Sequence, residues 1–121
     1  MPSFNFQKQF AAAVESGDKR QTIRAKRKVR PEIGQTAYLY TGMRTKSCLK
    51  LGQHTIISVV PIMLGSKGVC FWPGSNTENS VSDAWFLDQF AADDGFKNWN
   101  QMRDWFKKTH GLPFEGHLIK W

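Results

Sequence analysis

Residues 16–30 read SGDKRQTIRAKRKVR, and this stretch marks the point where a helix gives way to a strand. Gly17 is typical of a helix end, because glycine adopts the left-handed backbone of a helix C-terminus at little cost. Residues 22–25 have the composition of a strand. Side chains at such a junction lie at the edge of a core, where binding sites commonly form. The candidate site residues at this junction are Lys19, Thr22 and Arg24.

The same stretch concentrates positive charge, with seven Lys/Arg residues against one acid. Residues 1–60 contain eleven Lys/Arg and three Asp/Glu, a net charge of +8, whereas residues 61–121 contain six and seven, a net charge of −1. Such a surface favours a phosphate-bearing partner, and we expect RNA, DNA or a nucleotide to dock there. A solvated basic loop without a partner is the alternative.

The length of the chain permits one domain with a buried core, and we expect residues 1–121 to form it. The amino-terminal segment lacks the apolar region of a signal peptide. The longest apolar stretch, residues 55–64, is about half as long as a membrane span and contains Pro61. We therefore expect a cytoplasmic protein without a membrane partner. Cys48 and Cys70 lack metal-binding or redox spacing, which predicts two buried thiols.

The order of periodic segments predicts an α+β fold. Helices are predicted to begin at the capping residues Asn5, Asp83 and Asn98. Strands are predicted at residues 22–25, 35–41, 54–64, 69–72 and 115–121, with a polar loop at 75–82. In residues 54–64, apolar side chains occupy both odd-numbered and even-numbered positions. This pattern favours one central strand covered on both faces. Four tryptophans are expected in the core, and Trp72 is the exception. The four are Trp85, Trp99, Trp105 and Trp121.

Five segments, taken in order, resemble the ASCH domain of the PUA-like superfamily, in particular prokaryotic and phage-type members. They are SGDKRQTIR, GQTAYLYTGMRTK, FAADDGF, the THG at the end of a Trp-bearing helix, and the closing PFEGHLIKW. Together they extend over nearly the whole chain. The resemblance implies a PUA-like small β-barrel core flanked by helices. It also implies a cleft suited to single-stranded RNA, nucleotides or modified nucleosides.

Some ASCH proteins are amidohydrolases that remove the acyl group from acetylated cytidine, and their first motif has the form GxKxxTxR. The residues that match this motif are Gly17, Lys19, Thr22 and Arg24. The resemblance implies that Lys19 and Thr22 are catalytic. It aligns Asp94 with a catalytic Glu of the family, with Asp93 as the neighbouring alternative. Aspartate is one methylene shorter, and a shift of about 1 Å can disturb catalytic positioning.

The chemistry of these residues is consistent with such a role. A lysine packed against apolar walls near Arg24 would have its ammonium form disfavoured, so Lys19 could act as a base that activates Thr22. The carboxylate of Asp94 could hold the substrate's exocyclic amine or the transferred proton. In the structural alternative, Thr22 is an ordinary strand residue, Lys19 a solvated turn cation and Asp94 a turn former before Gly95.

A second group of ASCH proteins is similar to RNA-directed ribonucleases or RNA-binding modules, and residues 37–51, AYLYTGMRTKSCLKL, resemble that group. An aromatic residue at a strand end, followed by cations, can stack an unpaired base and contact its phosphates. In a ribonuclease, Lys46 or Lys19 would stabilise the charge that develops on phosphorus, while Tyr40 positions the base. Tyr40 as a rim residue is the alternative. The expected RNA-binding residues are Arg24, Lys26, Arg27, Lys28, Tyr40, Arg44 and Lys50.

Other classes of site lack support in the sequence. His54, His110 and His117 have no zinc-type spacing, so no metal site is predicted, and a divalent ion is expected only for ribonuclease chemistry. The motifs GxSxG, the P-loop and GxGxxG are absent from the sequence.

The leading hypothesis is an ASCH domain that binds single-stranded RNA, with ribonuclease activity. Deacylation of acetylated cytidine nucleosides and non-catalytic RNA recognition are the alternatives. All three use a basic cleft predicted to contain Lys19, Thr22, Arg24, Tyr40, Arg44 and Lys46.

Overall fold

The computed structural model describes residues 2–121 and confirms the α+β class. Within these residues it contains three helices: α1 at Lys8–Ser16, α2 at Ala84–Asp93 and α3 at Trp99–Thr109. It also contains eight strands: β1 Ser3–Phe6, β2 Gln21–Ala25, β3 Thr36–Thr41, β4 Leu49–Thr55, β5 Ser58–Leu64, β6 Val69–Phe71, β7 Asn79–Val81 and β8 Phe114–Lys120. No helix within residues 2–121 combines the length and the apolar composition needed to cross a lipid bilayer.

The strands form two hydrogen-bonded sheets. The smaller sheet has the order β1-β3-β4, with β1 parallel to β3. The larger sheet is antiparallel and has the order β2-β8-β5-β6-β7, so β8 lies between the strand that follows α1 and the strand that follows β4. Among residues 2–121 no ladder joins the two sheets into a closed barrel.

The buried side chains of both sheets and all three helices form a common core. Phe4 and Leu39 contribute from the smaller sheet, Ile119 from the larger sheet and Met102 from α3, and each is fully buried. Burial of side chains of this size stabilises a fold by roughly 1.5–3 kcal/mol each. The core therefore fixes β2 against β8 and sets the position of the residues at the end of α1.

Local signals predict most helix ends correctly. Gly17 follows α1 with φ +89° and closes it, while the carboxylate of Asp83 and the amide oxygen of Asn98 accept hydrogen bonds from the first turns of α2 and α3. The predicted cap at Asn5 is wrong. Asn5 lies in β1, where its Oδ1 accepts a hydrogen bond from the backbone of Met43, and α1 begins after Gln7 instead.

The single central strand predicted at residues 54–64 is also wrong, because the chain passes from one sheet to the other at this point. The backbone N–H of Ile56 donates to Gln35, beside the smaller sheet, whereas that of Ile57 donates to Lys120 in the larger sheet. Ile56 is fully buried and Ile57 is 63% exposed. Both are apolar, so the sequence pattern does not distinguish them.

Three further expectations need correction. The polar segment 75–82 contains β7, a strand at the edge of the larger sheet whose side chains are mostly exposed and therefore polar. Cys48 is exposed, because it lies in the loop between β3 and β4, although Cys70 is buried as predicted. Trp85 is 77% exposed, since the face of α2 that packs on the core carries Leu87 and Phe90.

Candidate functional site

The candidate site lies where the junction between α1 and β2 meets the C-terminal end of α2. The backbone N–H of Lys19 donates to Ala13, which turns the chain back after α1. Thr22 then pairs with Ile119 of β8, so β2 is held in the larger sheet. Asp94 caps α2, with its backbone N–H directed to the last turn.

Lys19 and Asp94 form a buried pair. The Nζ of Lys19 donates to the backbone carbonyl of Asp94 at 2.5 Å and lies 3.2 Å from Oδ1 of the same residue. Each residue is 3% exposed. The ring centroids of Phe6 and Phe10 lie 5.7 and 5.3 Å from the same Nζ. Lys19 is therefore a buried cation in an aromatic slot, which contradicts the solvated alternative.

Burial acts on both members of this pair. Desolvation lowers the pKa of Lys19 below its ordinary value, and the negative charge of Asp94 opposes that effect. Desolvation likewise raises the pKa of Asp94, opposed by Lys19, Gln21 and Arg24. Burial thus disfavours the ionised form of both residues compared with the same groups in water. The neutral amine of Lys19 therefore becomes easier to form.

The two carboxylate oxygens of Asp94 have different surroundings. Oδ1 lies against Lys19 and accepts a hydrogen bond from Nε2 of Gln21 at 3.3 Å. Oδ2 makes no hydrogen bond within residues 2–121. No buried side-chain nitrogen or oxygen in this part of the chain lacks a partner, so Oδ2 is accessible. Asp94 lines the adjacent cavity, so Oδ2 is the carboxylate oxygen that we expect to meet a ligand there.

Arg24 holds the hydroxyl of Thr22. Its Nε donates to Oγ1 of Thr22 at 2.9 Å, and a terminal nitrogen donates to the backbone carbonyl of Asn5 at 2.8 Å. The guanidinium lies over the rings of Phe6 and Phe4, with centroid distances of 4.8 and 5.4 Å. Desolvation, followed by the charge of Arg27, lowers the pKa of Arg24 to about 10. The Thr22 oxygen therefore has a cation beside it, and within residues 2–121 the Thr22 hydroxyl donates no hydrogen bond.

These groups border a cavity of about 280 Å³. Its polar lining residues include Asn5, Lys19, Thr22, Arg24 and Asp94. Its aromatic lining residues are Phe6, Phe10, Phe96, Trp105, Phe106, His110 and Phe114. Small-molecule sites begin at about 300 Å³, so this volume is close to that of the smallest such sites. Aromatic and polar side chains that line one cavity can bind a heterocycle by stacking and by hydrogen bonds at its edge.

The structure does not bring Tyr40, Arg44 and Lys46 into the cavity, so the single basic cleft predicted from sequence is divided. Tyr40 lies on β3, one strand away from the cavity residue Asn5, with which it is in register. Arg44 and Lys46 are exposed in the loop after β3. This loop lies beside the cavity, because the Asn5 side chain accepts the hydrogen bond from Met43 described above.

Lys50 and Asp93 also lie outside the cavity. Lys50 donates to Gln53 and has its Nζ 5.4 Å from the Tyr38 ring centroid. Asp93 accepts a hydrogen bond from Gln89 on the exposed side of α2, so Asp94 is the acid at the site.

The basic residues that follow β2 are exposed and partly engaged in the fold. Lys26 lies 3.4 Å from the carboxylate of Glu115. Arg27 donates to the backbone of Ser3 and stacks on Phe4, with a centroid distance of 4.4 Å. Lys28 is exposed to solvent. These three side chains form a charged surface beside the cavity rather than its lining.

Sequence analysis missed several residues of the site. His110, Phe96 and Trp105 line the cavity, and the motifs FAADDGF and THG contained two of them without indicating their orientation. Gln21 has no sequence signal, since its role depends on a residue 73 positions away.

No group of three or more His, Cys, Asp or Glu side chains within residues 2–121 is placed to hold a metal ion. The cavity's own acid, Asp94, is already paired with Lys19.

The chain matches no model of a protein family, and neither the curated proteins nor the solved structures contain a significant match to it.

Proposed function

We propose that this protein is an amidohydrolase of the ASCH type, with a PUA-like fold, that removes an acyl group from the exocyclic amine of a cytidine-like nucleoside. The observation that carries the proposal is the buried Lys19–Asp94 pair, which borders the same small cavity as the Thr22 hydroxyl. The resemblance of residues 17–24 to GxKxxTxR supports the substrate class. The order of the ASCH-like segments supports the fold assignment.

In the proposed reaction, Oγ1 of Thr22 attacks the acyl carbon and its proton passes to the neutral amine of Lys19. The carbon–nitrogen bond then breaks, and Lys19 returns that proton to the leaving amine. Water hydrolyses the resulting Thr22 ester, which releases the carboxylic acid and restores the hydroxyl. Acylation as a whole forms the bond from Thr22 Oγ1 to the acyl carbon and breaks the carbon–nitrogen bond, and hydrolysis forms a bond from water and breaks the Thr22 ester.

Two charged residues assist this sequence. Arg24 already donates to Oγ1 of Thr22, so it favours the negative charge that develops on that oxygen as its proton leaves. Oδ2 of Asp94 accepts a hydrogen bond from the substrate's exocyclic nitrogen and thereby orients the scissile bond. The burial that lowers the pKa of Lys19 makes its amine a usable base nearer to neutral pH.

The substrate class can be tested directly. We expect incubation of the protein with acetylated cytidine to yield cytidine and acetate in equal amounts, measured by chromatography. Thr22→Ala serves as the matched inactive control, because it removes only the hydroxyl and a methyl group. Absence of product from folded wild-type protein across the pH range would reject the proposal.

Single-stranded RNA binding is the second candidate function, and the contact between Asn5 and Met43 favours it. This hydrogen bond places the loop that carries Arg44 and Lys46 next to the cavity. An RNA strand could then lie along the loop while one base enters the cavity. Neutralisation of four to six phosphates would give a slope of log affinity against log salt of roughly −3 to −4.

The RNA hypothesis has its own test. Arg44→Ala with Lys46→Ala should weaken binding of labelled single-stranded RNA and flatten the salt slope. Lys67→Ala with Lys107→Ala is the control of equal charge, because both residues are exposed and lie outside the loop that carries Arg44 and Lys46. A slope near zero for the wild type would reject this mode of binding. RNA cleavage should be measured in the same samples with magnesium, with manganese and with a chelator, since a divalent ion could change which group activates the nucleophile.

A further inference from the structure

Gln21 is a buried polar residue that the proposed reaction does not use. It is the first residue of β2 and is 4% exposed. Neighbouring strand residues project to opposite faces, so Gln21 points away from the side of β2 that carries Thr22. Its Nε2 nevertheless donates to Oδ1 of Asp94 at 3.3 Å.

We propose that Gln21 is a positioning residue that fixes the Asp94 carboxylate through this hydrogen bond, so that Oδ2 faces the cavity. The kinetic part of the inference rests on the deacylase proposed above, whereas the geometric part does not. Gln21 touches no ligand in this scheme, because it does not line the cavity.

A second contact is required to fix the orientation of the Asp94 carboxylate, because rotation about its last side-chain bond has a low barrier. Rotation about the Cβ–Cγ bond of an aspartate has broad minima and can exchange the two oxygens. Lys19 contacts the backbone carbonyl of Asp94 as well as Oδ1, so it alone does not define which oxygen faces the ligand. The amide of Gln21, at the start of β2, adds a second contact to Oδ1 and so further distinguishes the two oxygens.

The alternative is that Gln21 only fills space beneath the aromatic side of α2. Gln21 lines a second groove, together with Phe71, Trp85 and Phe86. A filling role requires volume and not a donor. Gln21→Met keeps much of the volume but removes the donor, so it separates the two roles.

The charged groups that act on Asp94 are Lys19 and Arg24. Both remain in Gln21→Met, where loss of the donor should raise the pKa of the Asp94 carboxyl, because a hydrogen bond to the ionised form is removed. Gln21→Glu adds a second acid beside Asp94 and should raise that pKa further. Gln89→Met is the matched control, since Gln89 makes the same kind of bond to Asp93 on the exposed side of α2.

The experiment is a titration of the Asp94 carboxyl carbon by NMR in the wild type and these three variants, without substrate. We expect the titration midpoint to rise in the order wild type, Gln21→Met, Gln21→Glu, with Gln89→Met equal to the wild type. In deacylation, Gln21→Met should lower kcat about 10- to 100-fold with little change in KM.

The outcomes separate the two proposals. An unchanged midpoint in both folded Gln21 variants would overturn the positioning role, whatever the activity. A shifted midpoint in a protein without deacylase activity would retain that role and reject the reaction. If Gln21→Met does not fold, Gln21→Glu carries the same comparison, because it preserves the length of the side chain.

Discussion

The Nζ of Lys19 lies between two oxygens of one residue, the backbone carbonyl and Oδ1 of Asp94, although 75 positions separate these residues in the chain. Both side chains are at least 95% buried. A buried ion pair contributes little net stability compared with apolar residues, yet loss of one partner is costly because the other charge remains without compensation. The interaction between Lys19 and Asp94 can therefore be tested by the free energy of unfolding of variants as well as by their activity.

Lys19→Met and Asp94→Leu should each destabilise the protein by roughly 3–5 kcal/mol, since each leaves an unpaired buried charge. The double variant should cost much less than the sum of the two. Urea unfolding followed by tryptophan fluorescence measures all three. The exposed pair Lys26 and Glu115 is the control, and Lys26→Met should cost less than about 1 kcal/mol. Additive losses at Lys19 and Asp94 would show that the two are not coupled.

Lys19→Ala and Thr22→Ala should each abolish nearly all deacylation, and the double variant should lose little more, because both residues serve one acyl transfer. Steady-state kinetics on acetylated cytidine provides the measurement. Thr36→Ala, a half-buried threonine of β3 outside the cavity, should retain activity. Ribonuclease chemistry gives a different pattern, in which Thr22→Ala is mild while Lys19→Ala or Lys46→Ala is severe. Full activity of both Lys19→Ala and Thr22→Ala on any substrate would contradict this site assignment.

Gly95→Ala should impair the site through contact with Lys19. A Cβ at Gly95 would lie 3.1 Å from Cδ of Lys19 and 3.1 Å from Cδ1 of Phe10. Gly34 has the same φ of +93° but no atom within 4 Å of the corresponding position. Gly34→Ala is therefore the control for backbone strain, which costs of order 1–3 kcal/mol in both variants. Deacylation should fall sharply in Gly95→Ala only, and equal activity of the two variants would reject the crowding of Lys19.

The pH dependence of deacylation should follow the neutral fraction of Lys19. Burial lowers its pKa from 10.5, so kcat/KM should rise with pH to a plateau whose midpoint lies below 10.5. The charge of Asp94 raises the pKa of Lys19, so Asp94→Asn should move that midpoint to lower pH while reducing the plateau. An unchanged or higher midpoint in Asp94→Asn would contradict Lys19 as the base.

Features that depend on near neighbours in the chain were predictable from the sequence. The ends of helices at Gly17, Asp83 and Asn98 follow from local backbone and side-chain chemistry, and the structure confirms them. The change of sheet at Ile56 was not predictable, because it depends on hydrogen bonds to Gln35 and to the distant Lys120.

In the candidate site, too, the residues that are close in the chain were predictable and those that depend on distant contacts were not. Lys19, Thr22 and Arg24 lie within six residues of each other, so one motif indicated all three. Their chemical roles stay a prediction. The separation of Tyr40 from the cavity depends on β1 lying beside β3, and no local pattern encodes the lateral order of strands. Asp94 was found only through the family resemblance.

Lys19 and Asp94 are far apart along the chain, so the site forms only when both parts of the chain have folded together. A cut in the loop between β7 and α2 would leave one half of the pair on each fragment. The second fragment also carries β8, which must insert between β2 and β5 of the first. Activity regained on mixing the fragments would therefore measure recombination of the whole larger sheet, and the protein would serve as a split reporter.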